Sequence, residues 1–243
     1  MNPHYTYFLI LACSLAGPLL LSFDKKVAFY KKWKWLFPAM LIPAFIYIVW
    51  DIYFTAKGVW SFNEKYVTGI KLYNLPIEEV LFFFIVPYCC VFIYECIRCY
   101  FPGSKNRKWG DVILKLLALI LLVTGIACCD KYYTSWTFIF TGVFIAIIYL
   151  CKNYFSKRSF GKNFDATAFL ISWLIILIPF LVVNGFLTAI PVVQYNNAEN
   201  LGIRIYTIPF EDVFYGLLLV LMNIVIFEKL RNRRQSTDDG RLM

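Results

Sequence analysis

The sequence predicts an all-α integral membrane protein, with seven transmembrane helices forming two parallel three-helix repeats joined by a linker helix. Three observations carry that expectation. Of the 243 residues, 60% are apolar and 20% aromatic, and the mean hydropathy is +0.65. A soluble domain has an apolar share nearer half. Apolar stretches close to the roughly 20 residues needed to cross hydrocarbon recur along the whole chain. Finally, the second half repeats the first at a constant offset of 133 residues.

In chain order the predicted spans are 5–23, 35–54, 77–97, 112–129, 136–154, 166–187 and 209–227. Backbone groups in lipid have no water to bond, so each span must be a helix. The first span contains Ile10-Leu11-Ala12-Cys13, which loosely resembles a lipoprotein cleavage box, but no basic leader precedes it and it is read as a retained span. Alternate connections differ sharply in charge. One side carries Lys25, Lys26, Lys31, Lys32 and Lys34, then Arg98, Lys105, Arg107, Lys108 and Lys115. The same side carries Lys152, Lys157, Arg158 and Lys162, and the tail's Lys229, Arg231, Arg233, Arg234 and Arg241, together 19 of the 24 basic residues. The opposite side has Lys57, Lys65, Lys71, Lys131 and Arg204. The positive-inside rule then predicts an outside amino terminus and a cytoplasmic carboxyl terminus in a multi-pass cell-membrane protein. The same clustering accounts for the net charge of +9 without nucleic acid as a partner.

The repeat divides the chain into a first three-helix unit at 1–100, a linker with the fourth span at 101–133, a second unit at 134–231 and a cytoplasmic tail at 232–243. Adding 133 takes Asp51 to Asn184, Thr55 to Thr188, Asn63 to Asn196, Gly69 to Gly202 and Tyr73 to Tyr206. It also takes Pro76 to Pro209, Glu78 to Glu211, Glu79 to Asp212 and Glu95 to Glu228. Two units pointing the same way imply a pseudo-twofold axis along the membrane normal. The connections at 55–75 and 188–208 alternate apolar and polar residues around a Gly, which predicts a short strand or hairpin over the outer mouth.

The chemistry concentrates where each third helix begins. Leu75-Pro76-Ile77-Glu78-Glu79-Val80 and Ile208-Pro209-Phe210-Glu211-Asp212-Val213 both place Pro at the first turn and acids at the positive end of the helix dipole. Those acids could simply cap helices and pair with Lys71 and Arg204. Their repetition in matched units, each followed by aromatics, favours a functional role instead, because intramembrane acids are costly. Adjacent helical residues point about 100° apart, so one acid of each pair can face a given cavity. Asp51 and Asn184 are near enough to join that cavity, with interhelical hydrogen bonding as the equally weighted alternative. Glu95 and Glu228 lie roughly 25 Å further along and are expected as surface ion pairs with Arg98 and Arg231. Cys96 and Cys99 lack a second pair, and the one histidine is His4, so neither a metal site nor a His-box oxygenase is encoded. No Gly-x-Gly-x-x-Gly run offers a dinucleotide site, and the third and seventh spans contain no lysine for a Schiff base. What remains is acid chemistry on an apolar substrate inside a membrane, in an aromatic-lined cavity.

At these residues the sequence resembles the small membrane lycopene cyclases, the two-repeat kind made of paired or fused subunits. The resemblance rests on Gly58-Val59-Trp60-Ser61-Phe62-Asn63, Thr68-Gly69-Ile70, the paired Pro-x-Glu-acid motifs, Phe82-Phe83, Gly202-Ile203-Arg204-Ile205 and Tyr215. It covers nearly the whole chain and implies an intramolecular lyase, or isomerase, of carotenoid biosynthesis. The activity implied converts the linear ends of lycopene to ionone rings, giving β-carotene through γ-carotene, without net redox change or cofactor. Partners implied are lycopene or a related linear carotenoid, the lipid bilayer, and other enzymes of the pathway as neighbours. The mechanism implied has a protonated carboxyl attack the terminal double bond and a second carboxylate remove a proton after ring closure. Glu78 and Glu211 are the expected core pair, with Glu79 and Asp212 as coupled partners. Substitution of Glu78 or Glu211 by Gln is expected to abolish ring formation in a folded protein. Asp51, Asn184, Tyr73, Tyr206, Phe82, Phe83 and Tyr215 are expected to contact substrate, the aromatic faces stabilising cationic intermediates. An end-group hydratase and a non-catalytic carotenoid-binding protein are the alternatives.

Overall fold

A computed structural model describes residues 2–101, 108–154 and 164–239, leaving aside the side chains of 153–154 and 233–239. Lys105, Arg107, Lys157, Arg158, Lys162 and Arg241 of the charge pattern lie outside the described residues, as do the side chains of Arg233 and Arg234. The helices are α1 (Thr6–Leu21), α2 (Trp33–Lys57), α3 (Ile77–Tyr100), α4 (Trp109–Ala127), α5 (Tyr132–Tyr154), α6 (Ala166–Ala189) and α7 (Glu211–Asp239). All seven are long and apolar enough to cross a membrane, which makes the chain a multi-pass membrane protein. Helix α5 starts four residues before its predicted span, because Tyr133 and Thr134 are buried against the protein and their polarity concealed the first turn. Helix α7 runs past Phe227 to Asp239, since a charged segment rich in Arg and Lys leaves the apolar window yet keeps good helix propensity.

Between the second and third helix of each unit the same local structure appears twice. Strand β1 (Trp60–Phe62) precedes a turn capped by Asn63 and a hairpin of β2 (Lys71–Leu72) with β3 (Leu75–Pro76). Strand β4 (Val193–Tyr195) precedes a turn capped by Asn196 and a hairpin of β5 (Arg204–Ile205) with β6 (Ile208–Pro209). The two cap side chains accept the N–H groups of Lys65 and Ala198, at matching positions. β1 and β4 pair antiparallel, with Ser61 opposite Gln194, its own counterpart across the repeat. Reciprocal bonds flank this pair: Asn63 N–H to Val192 carbonyl at 2.9 Å and Asn196 N–H to Val59 carbonyl at 2.9 Å. A pseudo-twofold axis therefore passes between Ser61 and Gln194.

The other end of the axis is held by charge. Arg231 donates to Glu95 at 2.9 Å, Arg98 donates to Glu228, and Lys32 also reaches Glu95. Each of the first two pairs is the image of the other, joining α3 to α7 across the repeat. Glu95 and Glu228 are buried, which corrects the expectation of surface ion pairs. The facing helix of the opposite unit covers each rim residue. Along the sides the units interleave, with α2 packed on α7 and α6 on α3. Helix α4 leans chiefly on α5, where glycines let the backbones approach: a Cβ on Gly142 would lie 2.7 Å from Leu122.

Candidate active site

The two acidic motifs converge beneath the β1–β4 pair. Pro76 is extended at φ −63° and ψ 147° and caps α3, so Glu78 and Glu79 occupy its first turn. Helical geometry then divides them. The buried Oε1 of Glu78 accepts the Thr68 N–H at 2.7 Å, and Oε1 of Glu211 accepts the Leu201 N–H at 2.7 Å and the Thr134 hydroxyl at 2.6 Å. Thr68 and Leu201 are repeat counterparts. Glu78 and Glu211 thus anchor the connections above them and do not line the central cavity.

Glu79 and Asp212 point the other way, into a cavity they share with Asp51. The Tyr7 hydroxyl donates to Glu79 at 2.6 Å, and Asp51 lies within hydrogen-bonding reach of Glu79. Tyr215 donates to Asp51. Asp212 accepts from Tyr133 on one oxygen and from Tyr195, at 2.9 Å, on the other. Burial and the adjacent Asp212 push the Tyr195 phenol, in β4, well above its usual range, so it stays a donor. Trp60, Phe62, Phe82 and Leu219 supply apolar walls, and among the described residues no Lys or Arg lines the cavity. Among the described residues no group of three or more His, Cys, Asp or Glu is spaced to hold a metal ion, and the cysteines are free thiols.

The other expected contacts divide. Asp51, Asn184, Phe82 and Tyr215 line the cavity. Phe83 is buried behind the lining, its ring 5.4 Å from that of Tyr47. Tyr73 and Tyr206 do not reach it: both sit at hairpin tips with φ 59° and are 81% and 83% exposed. The turn conformation that suits a hairpin tip turns their rings away from the helices. Asn184 bonds back to the Phe180 carbonyl at 2.9 Å within its own helix.

The repeat is broken around the cavity. Tyr195 replaces Phe62, Tyr215 replaces Phe82, and Gly216 replaces Phe83. A Cβ on Gly216 would lie 2.6 Å from the Phe180 ring, which occupies the room that Phe83 fills in the first unit. The cavity accordingly extends towards Phe180, Leu187 and Gly216 on one side only. Tyr7, Tyr133 and Tyr195 were missed in the sequence. Tyr7 and Tyr133 are counterparts at an offset of 126, not 133. A difference of seven residues is about two helical turns, which preserves the helix face while defeating a gapless alignment.

The profile of the lycopene cyclase family matches residues 4–97 and 130–230. The chain belongs to the lycopene cyclase family. The unmatched segment between those regions holds α4, the helix between the two repeats. A bifunctional lycopene cyclase/phytoene synthase from Leptosphaeria maculans is 31% identical over 156 residues, 58% of this chain and 25% of that protein. The Aspergillus niger protein of the same name is 31% identical over 85 residues, 32% of this chain and 15% of that one. A lycopene beta-cyclase from Halobacterium salinarum is 43% identical over 47 residues, 19% of this chain and 20% of its own length. The chain spans a quarter or less of the length of the curated relatives it matches. No solved structure matches it.

Proposed function

We propose that this protein is a lycopene cyclase that closes ionone rings at the linear ends of lycopene by a redox-neutral, proton-initiated isomerisation. The observation that carries the reading is three acids, Asp51, Glu79 and Asp212, facing one aromatic-walled cavity among membrane-spanning helices. Asp51 and Glu79, carboxyl against carboxyl, can hold one proton between them and act as the acid. That proton adds to the terminal double bond of the linear end, leaving a tertiary cation. The next double bond attacks the cation and forms the ring's carbon–carbon bond. Asp212, both oxygens already accepting phenol hydrogens, removes a proton adjacent to the new cation and restores a double bond. One proton enters and one leaves, so neither oxidant nor cofactor is needed. Trp60, Phe82 and Tyr215 offer ring faces to the passing positive charge.

Glu78 and Glu211 act in this reading as supports, holding the connections that roof the site. The charge bias supports a membrane orientation with the acidic end outside and both the Arg98–Arg231 end and the carboxyl terminus in the cytoplasm. The bilayer is the reservoir from which an apolar substrate comes, and enzymes supplying linear carotenoid are its natural neighbours. Expression in a bacterial host that accumulates lycopene, with the extracted pigment separated by chromatography, tests the activity. A cyclic carotene of unchanged mass is the expected product, β-carotene if both ends react. A product heavier by one water would replace the cyclase with a hydratase, and unchanged lycopene in well-expressed membranes would leave a binding protein.

A further inference from the structure

The acid cavity is small, about 40 Å³, with room for only a few water-sized groups. A linear carotenoid is far longer than any dimension of it. Beside it, on the lipid-facing side between α2, α5 and α7, lies an apolar groove of about 360 Å³ that includes Trp50, Trp136, Phe140, Val143 and Met222 in its walls. Groove and cavity are back to back. On α2, Trp50 faces the groove and Asp51 the cavity; on α5, Trp136 and Tyr133 divide in the same way one turn apart; on α7, Leu218 and Leu219 do so. The partition is one side-chain layer thick. Its centre is Tyr215, whose ring meets Trp50 at 5.3 Å and Tyr47 at 4.8 Å, both edge to face, while its hydroxyl holds Asp51.

We infer that this groove binds the polyene body of the carotenoid, and that displacement of the Trp50–Tyr215 partition lets the end group reach the acids. The occupant is a long, flat, conjugated hydrocarbon. Aromatic walls suit its faces, the opening to lipid lets its far end remain in the bilayer, and the single-layer wall is the shortest route to Asp51. An opening this way also couples arrival to chemistry, because moving Tyr215 withdraws the hydrogen bond it donates to Asp51. This rests on the cyclase reading for the substrate.

The test fills the groove from its lipid-facing rim with Val143→Phe and Ile46→Phe, positions 39% and 42% exposed, so folding is not at stake. Ile178→Phe on α6, 67% exposed and outside the groove, is the control. Binding is read as the circular dichroism induced in lycopene, itself achiral, on adding it to nanodiscs of phosphatidylcholine that carry each variant in a Glu79→Gln background. Turnover is read separately with Glu79 intact. Filling the groove is expected to remove the induced signal and lower turnover by about tenfold or more, as misplacement of a reacting group does, with the control unaffected. If both groove variants keep the signal and the turnover, the groove holds lipid acyl chains and the proposal fails while the cyclase reading stands. If wild-type protein gives the induced signal but no product, the cyclase reading fails and the binding groove stands.

Discussion

At the scale of single residues, the first-turn acids separate by direction. Glu79→Gln and Asp212→Asn are expected to lower ring formation by at least about 100-fold, the usual worth of positioned acid or base, with little change in melting temperature in detergent. Glu78→Gln and Glu211→Gln are expected to behave differently. Each keeps an oxygen for the loop N–H but turns its unpartnered buried Oε2 into an amide with nothing to receive it. The cost should be about 1–3 kcal/mol of stability, seen as lower melting temperature and faster proteolysis of the roof connections. Loss of activity without loss of stability in Glu78→Gln would return that residue to the chemistry. The motifs themselves were legible in the sequence, as were the Pro caps and the repeat. Which acid faces inwards was not, because the two differ only by about 100° of rotation about the helix. That phase is fixed by the packing of α3 and α7 on their neighbours.

At the scale of elements, the repeat supplies its own controls. Gly216 leaves room that Phe83 fills in the other unit, and Phe180 uses it. Gly216→Ala places a methyl against the Phe180 ring, an overpacking expected to cost about 1–3 kcal/mol and to narrow the cavity. Adding Phe180→Leu should restore both the melting temperature and the product yield; failure of the pair to recover activity would mean that Gly216 serves the backbone and not the cavity. The hairpins over the mouth are legible in their alternating residues, and their tips explain why Tyr73 and Tyr206 do not reach the cavity. Tyr7 and Tyr133 escaped notice because α1 and α5 stand seven residues out of step with the rest of the repeat. A search that allowed a gap of two turns would have aligned them.

At the scale of the whole molecule, two fastenings mark the ends of the pseudo-twofold axis: the β1–β4 pair over the site and the Glu95, Arg98, Glu228, Arg231 cluster far from it. The cluster's burial was not legible, since it depends on which repeat covers which rim. Arg231→Met would leave Glu95 and Glu228 short of a shared partner and is expected to cost about 3–5 kcal/mol, measured by unfolding in mixed micelles. Arg231→Met with Glu228→Met should recover most of that, because the ions are removed together. A single variant as stable as wild type would show that Arg98 and Lys32 suffice to hold the cluster.

The role of the inward-facing acids is decided by comparing wild type, Glu79→Gln and Asp212→Asn side by side in the lycopene-accumulating host, with the pigments resolved by chromatography and mass. The expected result is a ring-bearing carotene of unchanged mass from wild type and intact lycopene from both variants at equal protein levels. Cyclic carotene from either variant at the wild-type yield would contradict it.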